Sequence, residues 1–486
     1  MKQRLIRDPM TTRSKTIIIC GGGLAGSLAT LSLSLSLGSE YHIVQVGGIN
    51  ARHEDHLYGG ATDPGSYNFL LRLGLDEPTL MLRSATSFSF GTHFRQWLDG
   101  RSWMQCHHAP LPTPSGIPLR HYLTRENAGL EPLLISAQAA LAGKFAHPPA
   151  DPRSVLASAE YGYQFDADEW VALLDRKIGE TSARRINAEI RSIIHESATR
   201  SVVHLDTGEA LEADLVVDAS GLSRYPIEAA GGTFRTARSI GFSLSKTPSD
   251  ALGPPCRTID ADETGWKATT HLQNARHTLR VSEAGIASDE AAAHTAALGH
   301  LVEAWVGNCV AIGHAASVFE PLTPAPMMML QRDIERLLEL IPAHADPGIE
   351  RREFNRRFRD DVEHVAIFHG ALMTTDSAPE TEYWRAARQQ TKSGKLDRKL
   401  AQFSNRGLLT SFDLEPFNEE DWTIAHWGMG RRPHQHDRQV DGVSDTRSQS
   451  ELGQIRNSVQ QLVTKMPPHH LYVGKLKQYL EKQNYA

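Results

Sequence analysis

Three short apolar blocks in the chain each empty into small residues, a pattern that predicts buried strands ending in tight turns. Thr16–Cys20 runs into Gly21–Gly22–Gly23, Ala213–Asp218 into Ala219–Ser220–Gly221, and Asn308–Ile312 into Gly313. Continuous apolar runs bounded by turn residues mark strands covered on both faces. A further strand, Tyr41–Gln45, follows the first block. Between them Leu28–Leu37 alternates leucine with serine and threonine, which by period alone reads as a strand. A strand–helix–strand unit needs a helix at that place, and serine is small enough to sit on a helix packed against a sheet. The expectation is therefore a helix.

Farther along, Asp168–Gly179 has helical period, Glu180–Arg200 reads as turn and strand, and residues 232–300 contain several short strand-like runs. Residues 101–155 are rich in Pro, His and Gly and read as loops with short elements. Gln331–Ile341 is amphipathic, with Ile334, Leu337, Leu338 and Ile341 on one stripe. Helical patterns dominate from 350 to 486, broken by a polar loop at about 432–451. Residues 1–14 form a loose tail. The first domain spans 15–100, 156–231 and 301–345, residues 101–155 and 232–300 supply substrate-binding elements, and 346–486 is a helical C-terminal part.

Length and composition narrow the class. A chain of 486 residues is too long for one small core, so two or three lobes are expected. Hydrophobic content of 40% and charged content of 22% describe an ordinary globular protein. A net charge of −6 without a long basic run gives no nucleic-acid footprint. No apolar run approaches the roughly 18 residues of a membrane span, and positions 1–15 carry no apolar leader core. Four scattered cysteines (Cys20, Cys106, Cys256, Cys309) form no CxxC and suit a reducing, cytoplasmic setting. His107–His108 and His469–His470 lack a third ligand at helical spacing, so no metal site is expected.

The chemistry begins at Gly21-x-Gly23-x-x-Gly26. Gly21 allows the tight turn, Gly23 lets backbone approach phosphate, and Gly26 brings the helix against the strand. Leu24 and Ala25 then open a helix whose N-terminus favours a pyrophosphate. The acidic ribose partner usual in such sites falls on Gln45, whose amide can still hydrogen-bond a hydroxyl.

In combination, the stretches resemble the FAD-binding flavoprotein monooxygenases, and in detail the flavin-dependent tryptophan halogenases. The match rests on the glycine motif, Asp218–Ala219–Ser220–Gly221, Gly307–Gly313, Phe319–Leu322, Gln331–Leu338, Tyr163–Ala167, Tyr383–Trp384–Arg385 and Met466–His469. Gly60–Ala61–Thr62–Asp63–Pro64 matches the family's flavin-contacting turn. The resemblance implies an α/β fold: a discontinuous, Rossmann-like FAD-binding domain with a β-rich substrate insertion and a helical C-terminal part. FAD would contact Gly21, Gly23, Leu24, Ala25, Gly26, Gln45, Ala61, Thr62, Ile312 and Gly313. It implies a small aromatic substrate, free or carrier-tethered, a flavin reductase and a homodimer as partners.

Departures from the family redirect the expected chemistry. A lysine that relays the oxidised halide aligns with Ser89, and its partner glutamate with Thr323. A hydroxyl can form no chloramine and is no base at neutral pH. Backbone N–H groups that would hold the halide are missing at Pro324 and Pro326. The WxWxIP signature keeps only Trp266 before ending in His271. His271, Ser89 and Thr323 are the catalytic candidates, His271 because its pKa can be tuned across pH 7. Trp266, Phe88 and His93 are the candidates for substrate contact. The expected function is an FAD-dependent, monooxygenase-like oxidoreductase acting on an aromatic or indole-type metabolite, outside standard halogenation. The alternatives are a halogenase using another amine, such as Lys267, and a flavin-binding protein without catalysis.

Overall fold

The first apolar block becomes strand β1 (Lys15–Cys20), which crosses through helix α1 (Leu24–Ser36) to the parallel strand β2 (Tyr41–Val46). Parallel neighbours need a crossover, and this requirement overrides the two-residue period of 28–37. The hydroxyls do not break the helix because they fold back on it. Thr30 Oγ1 donates to Gly26 O and Ser34 Oγ to Thr30 O, each at 2.7 Å. The computed structural model describes residues 14–48, 52–285, 293–342, 347–375 and 379–483. The expected tail lies outside these residues except for its last position.

β1 sits centrally in a six-stranded sheet ordered 305–306, 309–311, 215–218, β1, β2, 184–186. All pairs are parallel except Trp305–Val306 on Cys309–Ala311. The three apolar blocks thus stand side by side, and their small-residue turns meet at one edge of the sheet.

A second, eight-stranded sheet is ordered 317–318, 294–301, 234–248, 275–283, 265–271, 257–262, 91–97, 101–106. Residues 232–300 were expected to form short runs, but Phe234–Pro248 is one strand of 15 residues. Only its centre, Ile240–Ser243, is buried, so its polar ends hide the strand from a hydrophobicity reading. Gly91–Trp97 pairs in parallel with Arg257–Asp262, and Arg101–Cys106 pairs with Gly91–Trp97. The sheet boundary therefore precedes the division expected at residue 100, because backbone pairing joins 91–97 to the substrate-side sheet.

Helices cover the rest. Ala325–Glu339 packs on α1 and leads to the long helix Gly348–Met373. The polar loop expected to run to 451 ends early: Ser444 Oγ accepts the Arg447 N–H and starts the helix Asp445–Lys465. No described helix is long and apolar enough to cross a membrane.

Candidate functional site

The turn after β1 is built so that only glycine fits. Gly21 has φ +140°, and a Cβ there would lie 2.2 Å from Ala219 O. A Cβ on Gly26 would lie 2.0 Å from Gly21 O, so α1 can approach β1 only without a side chain. Gln45, 1% exposed, donates Nε2 to Gly21 O at 3.1 Å, while its Oε1 has no protein partner. A glycine cradle at a helix N-terminus beside an unpartnered buried amide oxygen fits a dinucleotide pyrophosphate and its ribose.

A single short turn lies against this cradle. Residues His53–Tyr58 form a 3-10 helix whose Glu54, Asp55 and Tyr58 are buried. A Cβ added at Gly23 would meet Asp55 Oδ2 at 2.7 Å, at Gly221 Glu54 Oε1 at 2.7 Å, and at Gly313 Tyr58 Oη at 2.3 Å. Asp55 Oδ2 accepts the Leu24 N–H at the start of α1 (3.2 Å) and the Arg52 N–H (2.8 Å). Burial pushes Asp55 up to about 6. Tyr58 Oη accepts the His314 N–H at 3.2 Å, and the two rings stack at 3.9 Å. Gly313 N–H donates to Asp333 Oδ2 at 3.0 Å. Ile312 N–H donates to Asp218 O at 3.0 Å, tying two of the apolar blocks together.

Ala61 and Thr62 are buried at the next turn, where Ala61 bridges Gln164 and Thr62 exchanges hydrogen bonds with Tyr163. Arg257, fully buried, holds this turn to another one: Nη1 donates to Gly59 O at 3.0 Å, and Nη2 to Pro321 O and Leu322 O.

Past Leu322 the chain enters the wall of a cavity of about 350 Å³. Thr323, Pro324, Thr92, Gln105, His107 and Gln331 line it, with Asp63, Glu160 and Asp421 on the acidic part of its wall. Thr323 Oγ1 accepts the Ala325 N–H at 3.3 Å and lies 3.0 Å from His369 Nε2. The Thr323 hydroxyl and the His369 imidazole thus share one hydrogen bond, in which either can donate according to the histidine tautomer. Burial lowers His369 to about 3, so the imidazole is neutral across the ordinary pH range. Ala325 N–H, the amide between Pro324 and Pro326, is already satisfied by Thr323, and neither proline has an N–H to offer.

The other sequence candidates lie elsewhere. Ser89 Oγ turns onto the start of the next strand, bonding Gly91 O and N, and does not line the cavity. Trp266 is fully buried and donates Nε1 to Glu320 Oε2 at 2.7 Å; Tyr383 and Arg238 close on the same carboxylate. Its indole N–H is thereby committed to the fold, not to a pocket wall. Phe88 stacks on Phe145 at 4.1 Å within a cluster including Tyr161 and Tyr472, which corrects the pocket-wall expectation to packing. His93 is half-buried on strand 91–97 and is also outside the cavity lining.

His271 ends the strand 265–271, with its ring against Gly253 and its N–H on Gln164 Oε1 at 2.9 Å. Burial lowers it to about 4. Lys267 points to solvent on the face opposite Trp266, so it cannot serve the chamber as an amine. No group of three metal-ligating side chains occurs among the described residues. Sequence reasoning missed Asp55, Tyr58, Arg257 and His369. Nothing local in the sequence marked them.

The tryptophan halogenase family model matches residues 16–445. A tryptophan 7-halogenase of Kutzneria sp. (strain 744) is 24% identical over 431 residues, 78% of this chain and 79% of that one. A tryptophan 6-halogenase of Streptomyces albogriseolus is 22% identical over 440 residues, 80% of this chain and 82% of that one. Among solved structures, a flavin-dependent halogenase from Brevundimonas sp. BAL3 superposes with a TM-score of 0.86 at 24% identity. That alignment covers 96% of this chain and 99% of the other. One from Xanthomonas campestris gives 0.84 at 23% identity, over 95% and 98%. These likenesses show a shared fold.

Proposed function

This chain belongs to the tryptophan halogenase family, and on that premise we propose that it is a flavin-dependent oxidoreductase acting on a small aromatic or indole-type molecule in the cavity beside Thr323, without the lysine route of halogenation. Its cofactor is FAD. The observation that carries the finer reading is the cavity wall itself. Where the family pattern has a carboxylate followed by free amides, this chain has a threonine wired to a neutral histidine, then two prolines.

Gly21, Gly23, Leu24, Ala25 and Gly26 would hold the pyrophosphate, Gln45 a ribose, and Ala61, Thr62, Ile312 and Gly313 the remainder. When bound, the flavin supplies the activation of O₂, which no side chain here can perform. The protein's part is placement. Arg257 fixes the Gly59 and Pro321–Leu322 turns relative to each other, and so sets where the cavity wall faces the cofactor turn. Thr323 presents its hydroxyl to the cavity, held by the hydrogen bond with His369. An imidazole held so far below its usual pKa is a weak base, so Thr323 and His369 orient more than they deprotonate. Phe368 and Met328 add apolar wall that limits water. The chain carries no second nucleotide motif, which favours reduced flavin arriving from a separate reductase.

One observation favours a second reading, a flavin-binding protein without turnover: the 53–58 turn already sits against three cofactor glycines. A reconstitution separates the readings. The protein, FAD, a flavin reductase, NADH and O₂ are incubated with tryptophan and with tryptamine, with and without bromide, and products are read by mass spectrometry. A substrate-dependent gain of one oxygen, unchanged by bromide, is expected. Brominated product rising with bromide would overturn the non-halogenating reading, and no substrate-dependent product would favour the second.

A further inference from the structure

The cavity beside Thr323 is charged on one side only. Asp63, Glu160 and Asp421 all line it. Burial first, and then the neighbouring charges of Asp63, Glu160 and Glu420, push Asp421 up to about 7. Glu160 is raised for the same reasons, by burial and by Glu420 and Asp63. The carboxylates therefore share one region and repel one another.

The one lining cation, Arg332, pulls on Asp63 at a distance but forms its ion pair with Asp361, outside the lining. Arg332 donates Nε and Nη2 to Asp361 Oδ1 at 3.0 and 2.7 Å. Glu335, on the same wall, is taken by Arg72. His107 and His108 are lowered to about 4 by burial and stay neutral at pH 7. Among the described residues, none of the three carboxylates forms an ion pair.

A second, independent feature points to a donor-rich ligand. Thr92 Oγ1 and Gln331 Oε1, on residues 2% and 9% exposed, have no hydrogen-bond partner and line the same cavity. Buried polar atoms are almost always paired. Gln331 Oε1 can only accept, and Thr92 Oγ1 has lone pairs to give, so these atoms and the carboxylates make a set of acceptors. An ammonium group brings three N–H donors and no acceptor. A ligand carboxylate would meet like charge and no free cation. A volume of about 350 Å³ holds one bicyclic molecule.

We infer that the cavity binds an arylalkylamine through its ammonium group, and discriminates against the corresponding carboxylic acid. This rests on the reading above that the cavity beside Thr323 is the substrate chamber. It deepens that reading by separating an amine from the neutral and acid forms of the same ring.

The test uses three probes sharing one ring: tryptamine, 3-ethylindole and indole-3-propionate, titrated calorimetrically into the full chain at pH 8. Charge-assisted hydrogen bonds predict tryptamine about tenfold to a hundredfold tighter than 3-ethylindole, with indole-3-propionate weakest. Glu160→Gln, which keeps the side chain's size and loses only its charge, and Asp421→Asn, which keeps an acceptor for the Asn418 N–H, should each erode that preference. Neither should change 3-ethylindole binding. Equal affinities, a preference for the acid, a preference that survives both substitutions, or no binding by any probe would each overturn the inference. A parallel FAD titration by fluorescence separates the two claims. FAD binding without amine preference refutes only the amine site, whereas amine preference without FAD binding refutes the flavin reading and leaves the amine site standing.

Discussion

Replacing Asp55 by Asn is expected to tighten FAD binding, because the native carboxylate holds the N–H group that a pyrophosphate would use. Asp55 Oδ2 accepts from Leu24 N–H at the α1 N-terminus and from Arg52 N–H, and it lies against Gly23. A negative charge in that position is worth about 0.3–1 kcal/mol at an exposed helix end and up to about 2 kcal/mol when partly buried. Asn keeps an acceptor but removes the charge, so about 1–2 kcal/mol of competition disappears, equivalent to roughly 5- to 30-fold in Kd. The wild type should also show pH dependence. Burial raises Asp55 to about 6, against the opposing pull of its backbone donors, so it is ionised and competing above that value. Once displaced beside a diphosphate its protonated form is favoured further, so FAD binding takes up a proton. Affinity therefore rises as pH falls toward about 6, by at most about tenfold per pH unit, and levels off below it. Quenching of flavin fluorescence at pH 5.5, 6.5, 7.5 and 8.5 reads both effects. A wild-type Kd flat across that range, or an Asp55→Asn Kd equal to wild type at pH 7.5, would refute the competition argument. A slope that persists in the variant would assign the titration to another group.

Four further outcomes follow, three from buried contacts and one from an exposed side chain. Glu320→Ala leaves Arg238, Trp266 Nε1 and Tyr383 Oη facing no carboxylate, and urea denaturation should show a loss of about 3–5 kcal/mol. Thr323→Val strips His369 Nε2 and Ala325 N–H of their partner, a loss of about 1–3 kcal/mol by the same assay. Gly313→Ala, at φ +57° with a Cβ 2.3 Å from Tyr58 Oη, should lower thermal stability by about 1–3 kcal/mol and weaken FAD binding. Lys267→Ala removes a solvent-facing side chain, so the yield and halide dependence of any product should stay unchanged; a lost halogenated product would restore the amine route.

The sequence displayed what depends on local spacing and hid what depends on assembly. The glycine turn, β1, β2 and α1 were legible because a parallel pair with an intervening glycine motif admits few arrangements. Helix Ala167–Ile178 was legible from its period, and strand Phe234–Pro248 was not, because its polar ends are solvent-exposed while only its middle is covered. Thr323 could be singled out as a replacement at a family position, yet nothing local showed that His369, 46 residues later, would meet it. Trp266 and Phe88 looked like pocket aromatics because an aromatic side chain reads the same in a core and in a pocket. Their partners, Glu320 and Phe145, distinguish the two, and those partners are distant in sequence. Asp55 was equally silent, since an acidic residue after a strand reads as surface until the fold turns it onto a helix end.

Arg257 has a consequence beyond holding two turns in place. One guanidinium grips the Gly59 carbonyl with one nitrogen and the Pro321 and Leu322 carbonyls with another. Gly59 directly follows the 53–58 turn, and Leu322 directly precedes Thr323. Movement at the cofactor end therefore pulls on the same planar group that positions the substrate end. On the proposed reading, in which the cavity takes the substrate, the FAD and substrate ends are joined by a lever with its fulcrum in the large sheet, and linkage makes its action reciprocal: whatever FAD does to substrate affinity, substrate does to FAD. A lysine at this position would cut the lever, because a point ammonium on a flexible stem cannot hold both turns in one plane.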